Sequence, residues 1–303
     1  MTWYPHCPPF VERRGRTMGI GCVVLDFDGT FTDVAAEGAP FVRHFKHHLG
    51  EVLGQDAGRV EEAWREEEAA VLAGAHAFGW DIGGRTVAPA TADPYLLSNC
   101  VARQLMNRYG VMTEQHQRDE ALQSLYREAY KLTGTAFKPE AKEVLEALLA
   151  TGLPVWVVTN AHTDLVDAKL DRLAPKGRER LKVKGDARKY LIQPPADSDA
   201  RFASVPETLS FGELLPRPVY LRRGLYYEAL SDIWDTTGTG PESTLVAGDI
   251  YELDLALPAV LGAQVQFVAR DNALPYELKA MALLGPRGGS DRSLRAILPR
   301  LRG

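Results

Sequence analysis

The sequence predicts an α/β protein with a doubly wound parallel sheet, interrupted after its first strand by an all-helical block. Three observations predict it. A short apolar run, Cys22-Val23-Val24-Leu25, reads as a buried strand and is followed at once by Asp26-Phe27-Asp28-Gly29-Thr30. About a hundred residues then carry helical periodicity with no alternating β pattern. From residue 136 onward, apolar strands alternate with helical segments, the pattern of a parallel sheet with crossover helices.

The helical block spans 34–135, with amphipathic segments over 42–53, 60–72, 96–109 and 120–132. The run Glu66-Glu67-Glu68 fits a solvated helix face. Pro89, Thr91, Asp93 and Pro94 mark a loop. After Thr133-Gly134-Thr135 a helix runs from Pro139 to Ala150 and ends at Gly152. Strands are expected over 153–158, 181–183, 219–221, 245–247 and 264–268, with a helix over 226–234. The Pro-rich stretch 191–217 reads as an excursion with a small hairpin of its own. Residues 276–301 read as helical, broken at Gly285-Pro286-Arg287-Gly288-Gly289. Residues 18–33 and 136–303 thus form a core, and 34–135 an insertion. The Pro- and Arg-containing start, 1–17, lacks an apolar signal segment and reads as a disordered tail, with Met18 just before the first strand.

With 303 residues and 45% hydrophobic content, the chain can bury a large core. A net charge of −5 gives no footprint for nucleic acid. No apolar run reaches the roughly 18 residues needed to cross a bilayer, so no membrane partner is expected. Cys7, Cys22 and Cys100 are dispersed and odd in number, which fits a reducing, cytoplasmic setting rather than a disulfide framework or a cysteine metal site.

The chemistry concentrates at three strand ends. Asp26 and Asp28 are two apart, so in extended chain they share a face and crowd one strand's carboxyl end. Two such anions repel unless a cation lies between them or one holds a proton, so the pair predicts a divalent metal, chemistry, or both. Thr159-Asn160 follows the strand ending at Val158, and Gly248-Asp249-Ile250-Tyr251-Glu252-Leu253-Asp254 follows the strand ending at Ala247. A parallel sheet brings all three ends to one edge.

Asp-x-Asp-Gly-Thr, then strand-Thr-Asn, then Gly-Asp-x-x-x-x-Asp resembles the haloacid dehalogenase superfamily over residues 21 to about 270, with the helical block in place of that family's helical (C1-type) cap and a Rossmann-like core around it. The resemblance implies a phosphomonoester hydrolase acting on a small phosphorylated metabolite. Asp26 would be the nucleophile that becomes an aspartyl-phosphate, and Asp28 the general acid and base. Mg²⁺ would be held by Asp26, the Asp28 carbonyl and Asp249, with Asp254 orienting the site. Thr159, with Asn160, Gly29 and a basic residue, would hold the phosphoryl oxygens. The family's usual Lys-Pro is missing: Arg222-Arg223-Gly224 stands there, so Arg223 is the first candidate for that cation and Lys189 the second, ahead of Arg222 and Lys184. Asp28 favours phosphate esters over haloacids, which give a leaving group needing no acid. A hexose-phosphate phosphomutase and a catalytically weak binding or regulatory protein on the same fold are the alternatives. A phospho-acceptor signalling domain would be far shorter. His44 and His48 have the spacing to share a metal but no evident acidic partner, and contact with substrate is the better reading of that region.

Overall fold

The computed structural model describes residues 19–302, so the tail reading for 1–17 lies outside the described residues. In chain order the elements are β1 (Cys22–Leu25), α1 (Val34–Leu53), α2 (Ala57–Ala73), β2 (Gly79–Ile82), β3 (Arg85–Pro89), α3 (Pro94–Tyr109), α4 (Gln115–Tyr130), α5 (Ala141–Ala150), β4 (Val155–Val158), α6 (Thr163–Leu173) and β5 (Leu181–Lys184). Then follow α7 (Ala200–Ala203), β6 (Thr208–Leu209), β7 (Val219–Tyr220), α8 (Gly224–Thr237), β8 (Thr244–Gly248), α9 (Ala256–Leu261), β9 (Gln264–Val268), α10 (Pro275–Leu283) and β10 (Gly288–Asp291).

Six strands form one parallel sheet in the order β10-β9-β8-β1-β4-β5. Strand β1 is central, and covered sheets want apolar residues on both faces of such a strand. Its four residues comply and split by the two-residue period. Cys22 and Val24 join the core beneath α8, whereas Val23 and Leu25 join the core beneath α5 and α6. Registers Leu25↔Ala247 and Leu25↔Val157 set β1, β8 and β4 level, so the residues that follow them emerge at one edge.

The insertion after β1 has its own apolar core. Phe41, Phe45, Leu49 and Leu53 recur every fourth residue along α1 and pack with Trp64, Leu105 and Met106. Asp33 caps α1 by accepting from the Ala36 amide at 3.0 Å, and Gly54 ends it in the left-handed conformation. The two linkers run side by side: Asp33 N donates to Ala136 O at 2.9 Å, and Lys138 N to Phe31 O at 3.0 Å.

Three expectations need correction. The insertion is not all helical, because β2 and β3 form an antiparallel hairpin around Gly83-Gly84, both at positive φ, as a two-residue hairpin turn requires. The 219–221 segment is not a strand of the main sheet; β7 pairs antiparallel with β6 as a separate hairpin. The end of the chain is not a broken helix. Gly288–Asp291 adds the sixth parallel strand beside β9, where Gly288 fits because a Cβ there would lie 2.2 Å from the Met281 carbonyl oxygen. Glycines and polar residues on an edge strand hide it from any apolar-pattern reading.

Leu25 is fully buried and immediately precedes Asp26. Leu25→Ala is expected to lower stability by about 2–5 kcal/mol in equilibrium urea unfolding; a loss under about 1 kcal/mol would contradict this packing.

Candidate active site

The edge where β1, β4 and β8 end carries a buried cluster of carboxylates. The Asp26 amide donates to Ala247 O at 2.8 Å, which holds the residue in the sheet while its side chain turns to the edge. Gly29 has φ of +84°, and a Cβ there would meet Asp249 Oδ2 at 2.5 Å, so only glycine lets Asp249 approach β1. A Cβ on Gly248 would fall 2.4 Å from that of Asp254. Asp254 sits in a single π-turn, Tyr251–Leu255, and its Oδ2 accepts from the Ile250 amide at 3.0 Å.

One lysine enters this cluster. Lys189 Nζ donates at 2.8 Å to Asp26 Oδ1 and at 2.8 Å to Asp254 Oδ1, with 1% of its side chain exposed. It comes from the turn after β5, where Asp186 and Arg188 have positive φ and the Lys189 amide donates to Asn160 Oδ1 at 2.7 Å. Burial alone would lower its pKa, but Asp254 and Asp26 outweigh that and push it well up, so it stays an ammonium. Thr30 Oγ1 donates to Asp26 Oδ2 at 2.9 Å and lies 3.3 Å from Asp249 Oδ1. Burial, with Asp254 nearby, pushes Asp26 up to about 7 despite Lys189. Burial and Asp26 also raise Asp249, whose nearest cation, Arg270, stands 3.9 Å away and is engaged with Glu277.

Asp26, Asp249 and Asp254 bring carboxylate oxygens within 4.8 Å of one another. Asp254 is committed to Lys189 and the Ile250 amide. Asp26 and Asp249 therefore remain as two buried, all-oxygen, hard donors with less positive charge than they need. That donor set fits a hard divalent cation such as Mg²⁺.

Asp28 is placed apart from this trio. Its Oδ1 accepts from Lys169 Nζ at 2.7 Å, and Lys169 also reaches the buried Glu37 at 3.2 Å. Glu37 in turn accepts from the Ala136 amide at 3.1 Å, so α6, the start of α1 and the second linker meet behind Asp28. Thr159 is buried, its Oγ1 accepting from the Ala161 amide at 3.1 Å and its hydroxyl hydrogen having no acceptor among the described residues. Asp26, Asp28, Thr159, Asn160, Asp249 and Asp254 all border one cavity of about 550 Å³, between the sheet edge and the insertion.

The remaining sequence candidates lie elsewhere. Arg223 is fully buried but donates to the carbonyls of Tyr220, Lys189 and Val87, at 3.1, 2.5 and 3.0 Å. It does not border the cavity; it clamps β3 to the turn that carries Lys189. The structure thus brings Lys189, not Arg223, to the carboxylates. Arg222 bonds the carbonyls of Val205 and Ala203, and Lys184 pairs with Asp232. The Gly29 amide is taken by Thr32 Oγ1 at 3.0 Å and is not offered to a ligand. His44, His47 and His48 do not border the cavity, which corrects the substrate-contact reading, and His48 has an acidic partner in Glu51 at 2.7 Å. Lys169, Glu37 and Thr30 went unassigned in sequence. Thr30 lies within the Asp-x-Asp-Gly-Thr motif, whereas Lys169 and Glu37 carry no local signal.

A family model described as haloacid dehalogenase-like hydrolase matches residues 20–193. The chain belongs to that family. Solved structures of similar fold include the magnesium-bound HAD-hydrolase YfnB of Bacillus subtilis, 13% identical, covering 94% of this chain and 100% of that one at a TM-score of 0.50. A protein assigned as a beta-phosphoglucomutase of Thermotoga maritima is 12% identical, over 93% and 99% of the two chains, at a TM-score of 0.49. A HAD phosphatase of Thermococcus onnurineus is 15% identical, over 89% and 99%, at a TM-score of 0.42. Identities this low bear on fold alone, and of these three only YfnB reaches a TM-score of 0.50. A comparison with curated proteins gave no match. Among the described residues no helix of this hydrolase is long and apolar enough to cross a membrane.

The buried carboxylates generate a pH prediction for the metal-free protein. Folded Asp26 keeps its proton up to about pH 7, whereas the unfolded chain loses it near 3.8. Over that window the folded state binds more protons, so Asp26's contribution to stability falls as pH rises. In EDTA, wild type is expected to lose stability relative to Asp26→Asn between pH 4 and 7. Added Mg²⁺ should then raise the midpoint of wild-type unfolding more at pH 8 than at pH 5. A pH-independent gap between the two proteins, with no Mg²⁺ effect at pH 8, would contradict this electrostatic account.

Proposed function

We propose that the chain is a Mg²⁺-dependent phosphomonoester hydrolase that works through an aspartyl-phosphate on Asp26. The carrying observation is Asp26 itself: a buried carboxylate at the cavity floor, flanked by Lys189 and Asp249, with Asp28 two residues on at the cavity wall. In this reading residues 34–135 act as a cap that excludes water from the core residues 18–33 and 136–303.

Substrate places its phosphoryl group over Asp26, with oxygens received by the Thr159 hydroxyl and the neighbouring backbone. Asn160 positions this edge by holding the Lys189 turn. The Asp26 carboxylate attacks phosphorus as the bond to the leaving oxygen breaks, and protonated Asp28 gives that oxygen its proton. The alcohol leaves. Asp28, now a carboxylate, takes a proton from water as the water oxygen attacks phosphorus, releasing phosphate and restoring Asp26. Lys189 balances charge on Asp26 throughout, and Asp254 holds Lys189 in place. A Mg²⁺ ion held by Asp26 and Asp249 would offset repulsion between carboxylate and phosphoryl oxygens. Lys169 is a positioning residue that holds Asp28 at the wall.

Phosphate release from a panel of phosphomonoesters tests this reading: it should require Mg²⁺, stop in EDTA and be lost in Asp26→Asn. Asp28→Asn should depend on the leaving group. Turnover of glycerol 3-phosphate should fall by roughly 10²–10⁴, whereas the dinitrophenol burst of the first step from 2,4-dinitrophenyl phosphate, whose leaving group needs no acid, should slow less than about tenfold. A dinitrophenol burst slowed as much as glycerol 3-phosphate turnover would remove Asp28 from the acid role.

A further inference from the structure

The cavity also has an aromatic wall that the phosphoryl chemistry leaves unused. Its lining includes Trp80 of the β2–β3 hairpin, Tyr95 of α3, Tyr126 and Tyr130 of α4, and Tyr190 of the core, with Asp28, Glu37 and Asp93 near Tyr95 and Tyr130. Trp80 and Tyr190 lie with ring centroids 4.5 Å apart. Tyr126 and Tyr130 stack 5.5 Å apart and within 13° of parallel, and Tyr95 meets both edge-on. The hydroxyls of Tyr95, Tyr126 and Tyr130 have no hydrogen-bond partner among the described residues, and burial raises the pKa of all three, which keeps them neutral. Tyr130 remains 44% exposed.

Charge narrows the occupant further. The basic side chains bordering the cavity are Lys169, already held by Asp28 and Glu37, and Arg172, which is exposed. Glu37 and Asp93 border the same space. A leaving group with a carboxylate or a second phosphate would meet Glu37 and Asp93 and, among the described residues bordering the cavity, find an unpaired cation only in the exposed Arg172. A flat, uncharged ring would find π faces on several sides and neutral phenols for any polar edge atoms.

We infer that the leaving alcohol carries a flat, uncharged ring, and that Trp80, Tyr126, Tyr130 and Tyr190 are its specificity-determining residues. This rests on the phosphomonoesterase reading for the reaction but not for the binding. Two sources offer such a ring, a nucleoside 5′-monophosphate and an aryl phosphate. The adjacency of Lys189 and Tyr190 gives the arrangement its geometry: one turn sends the lysine to the carboxylates and the next residue to the aromatic wall.

The test compares kcat/KM for adenosine 5′-monophosphate, uridine 5′-monophosphate, phenyl phosphate, glycerol 3-phosphate and 2-phosphoglycolate, in wild type, Tyr130→Leu and Trp80→Leu. Tyr130 is the safer substitution for folding because it is exposed. Stacking should favour the ring esters over both aliphatic esters by roughly tenfold or more, and each variant should cut that ratio by at least about fivefold. A nucleotide preference over phenyl phosphate assigns the nucleoside source, and the reverse assigns the aryl source. In parallel, saturation-transfer NMR of adenosine and phenol against wild type reads ring binding without turnover, with glycerol as the control. Aliphatic esters turned over as well as ring esters would overturn the inference and leave the phosphatase reading intact. Ring binding that is weakened in Tyr130→Leu, with no ester turned over by any protein, would support the aromatic wall as a ring site and sink the phosphatase reading. Absence of ring binding together with absence of any ring preference would overturn the inference outright.

Discussion

The site depends on one buried ammonium. Lys189 sits between Asp26 and Asp254, and without it two carboxylates would be enclosed with no counter-charge, an arrangement that costs several kcal/mol when a partner is removed. Much of the surrounding structure serves to deliver that ammonium. Asn160 holds the amide of Lys189, Arg223 holds its carbonyl, and two left-handed residues in the turn after β5 aim it inward. Tyr226 closes the far side, its ring 5.5 Å from the ammonium and its hydroxyl on the Asp254 carbonyl at 2.8 Å. Lys189 balances Asp26 but does not reach Asp249, so the Mg²⁺ proposed above would meet charge that one lysine leaves unbalanced.

The same turn ties the insertion to the core. Arg223 reaches Val87 in β3, Arg217 reaches the Thr86 carbonyl, and Asn272 reaches that of Thr91. Trp80 rests on Tyr190, and Ala88, Ala92 and Leu253 form a small apolar seam beside the Gly-Asp turn. The hairpin is thus docked over the carboxylates, while the paired linkers at 33 and 136 lie on the other side, braced by Glu37 and Lys169. Arg223 bonds both the Val87 carbonyl in the hairpin and the Lys189 carbonyl, so one side chain clamps the hairpin to the turn that presents the lysine.

Much of this was legible in the chain because it rests on local pattern. A four-residue apolar run ending in Asp-x-Asp announces a buried strand with carboxylates at its end, and helical periodicity announces the insertion. What stayed hidden rests on non-local geometry. The β2–β3 hairpin is short and ends in Pro89, so its alternation is too brief to separate from loop. Gly288–Asp291 has no apolar signal, because an edge strand can be held by backbone pairing with β9 alone. Arg223 ranked above Lys189 because it stands just before a helix in the expected place. The preference was set by position, whereas the structure decides by reach: Lys189 lies 163 residues from Asp26 in sequence and touches it, while Arg223 spends its guanidinium on three carbonyls.

Chemical trapping shows whether Asp26 is the nucleophile that carries the phosphoryl group. Wild-type enzyme mixed with Mg²⁺ and a turned-over ester, quenched in acid within milliseconds and mapped by peptide mass spectrometry, should carry a phosphoryl group on the peptide containing Asp26. Borohydride reduction should convert that residue to homoserine. Phosphate released steadily with no acyl phosphate on Asp26 at any quench time, and with inversion of configuration at an isotopically chiral phosphorus, would contradict a covalent intermediate on Asp26.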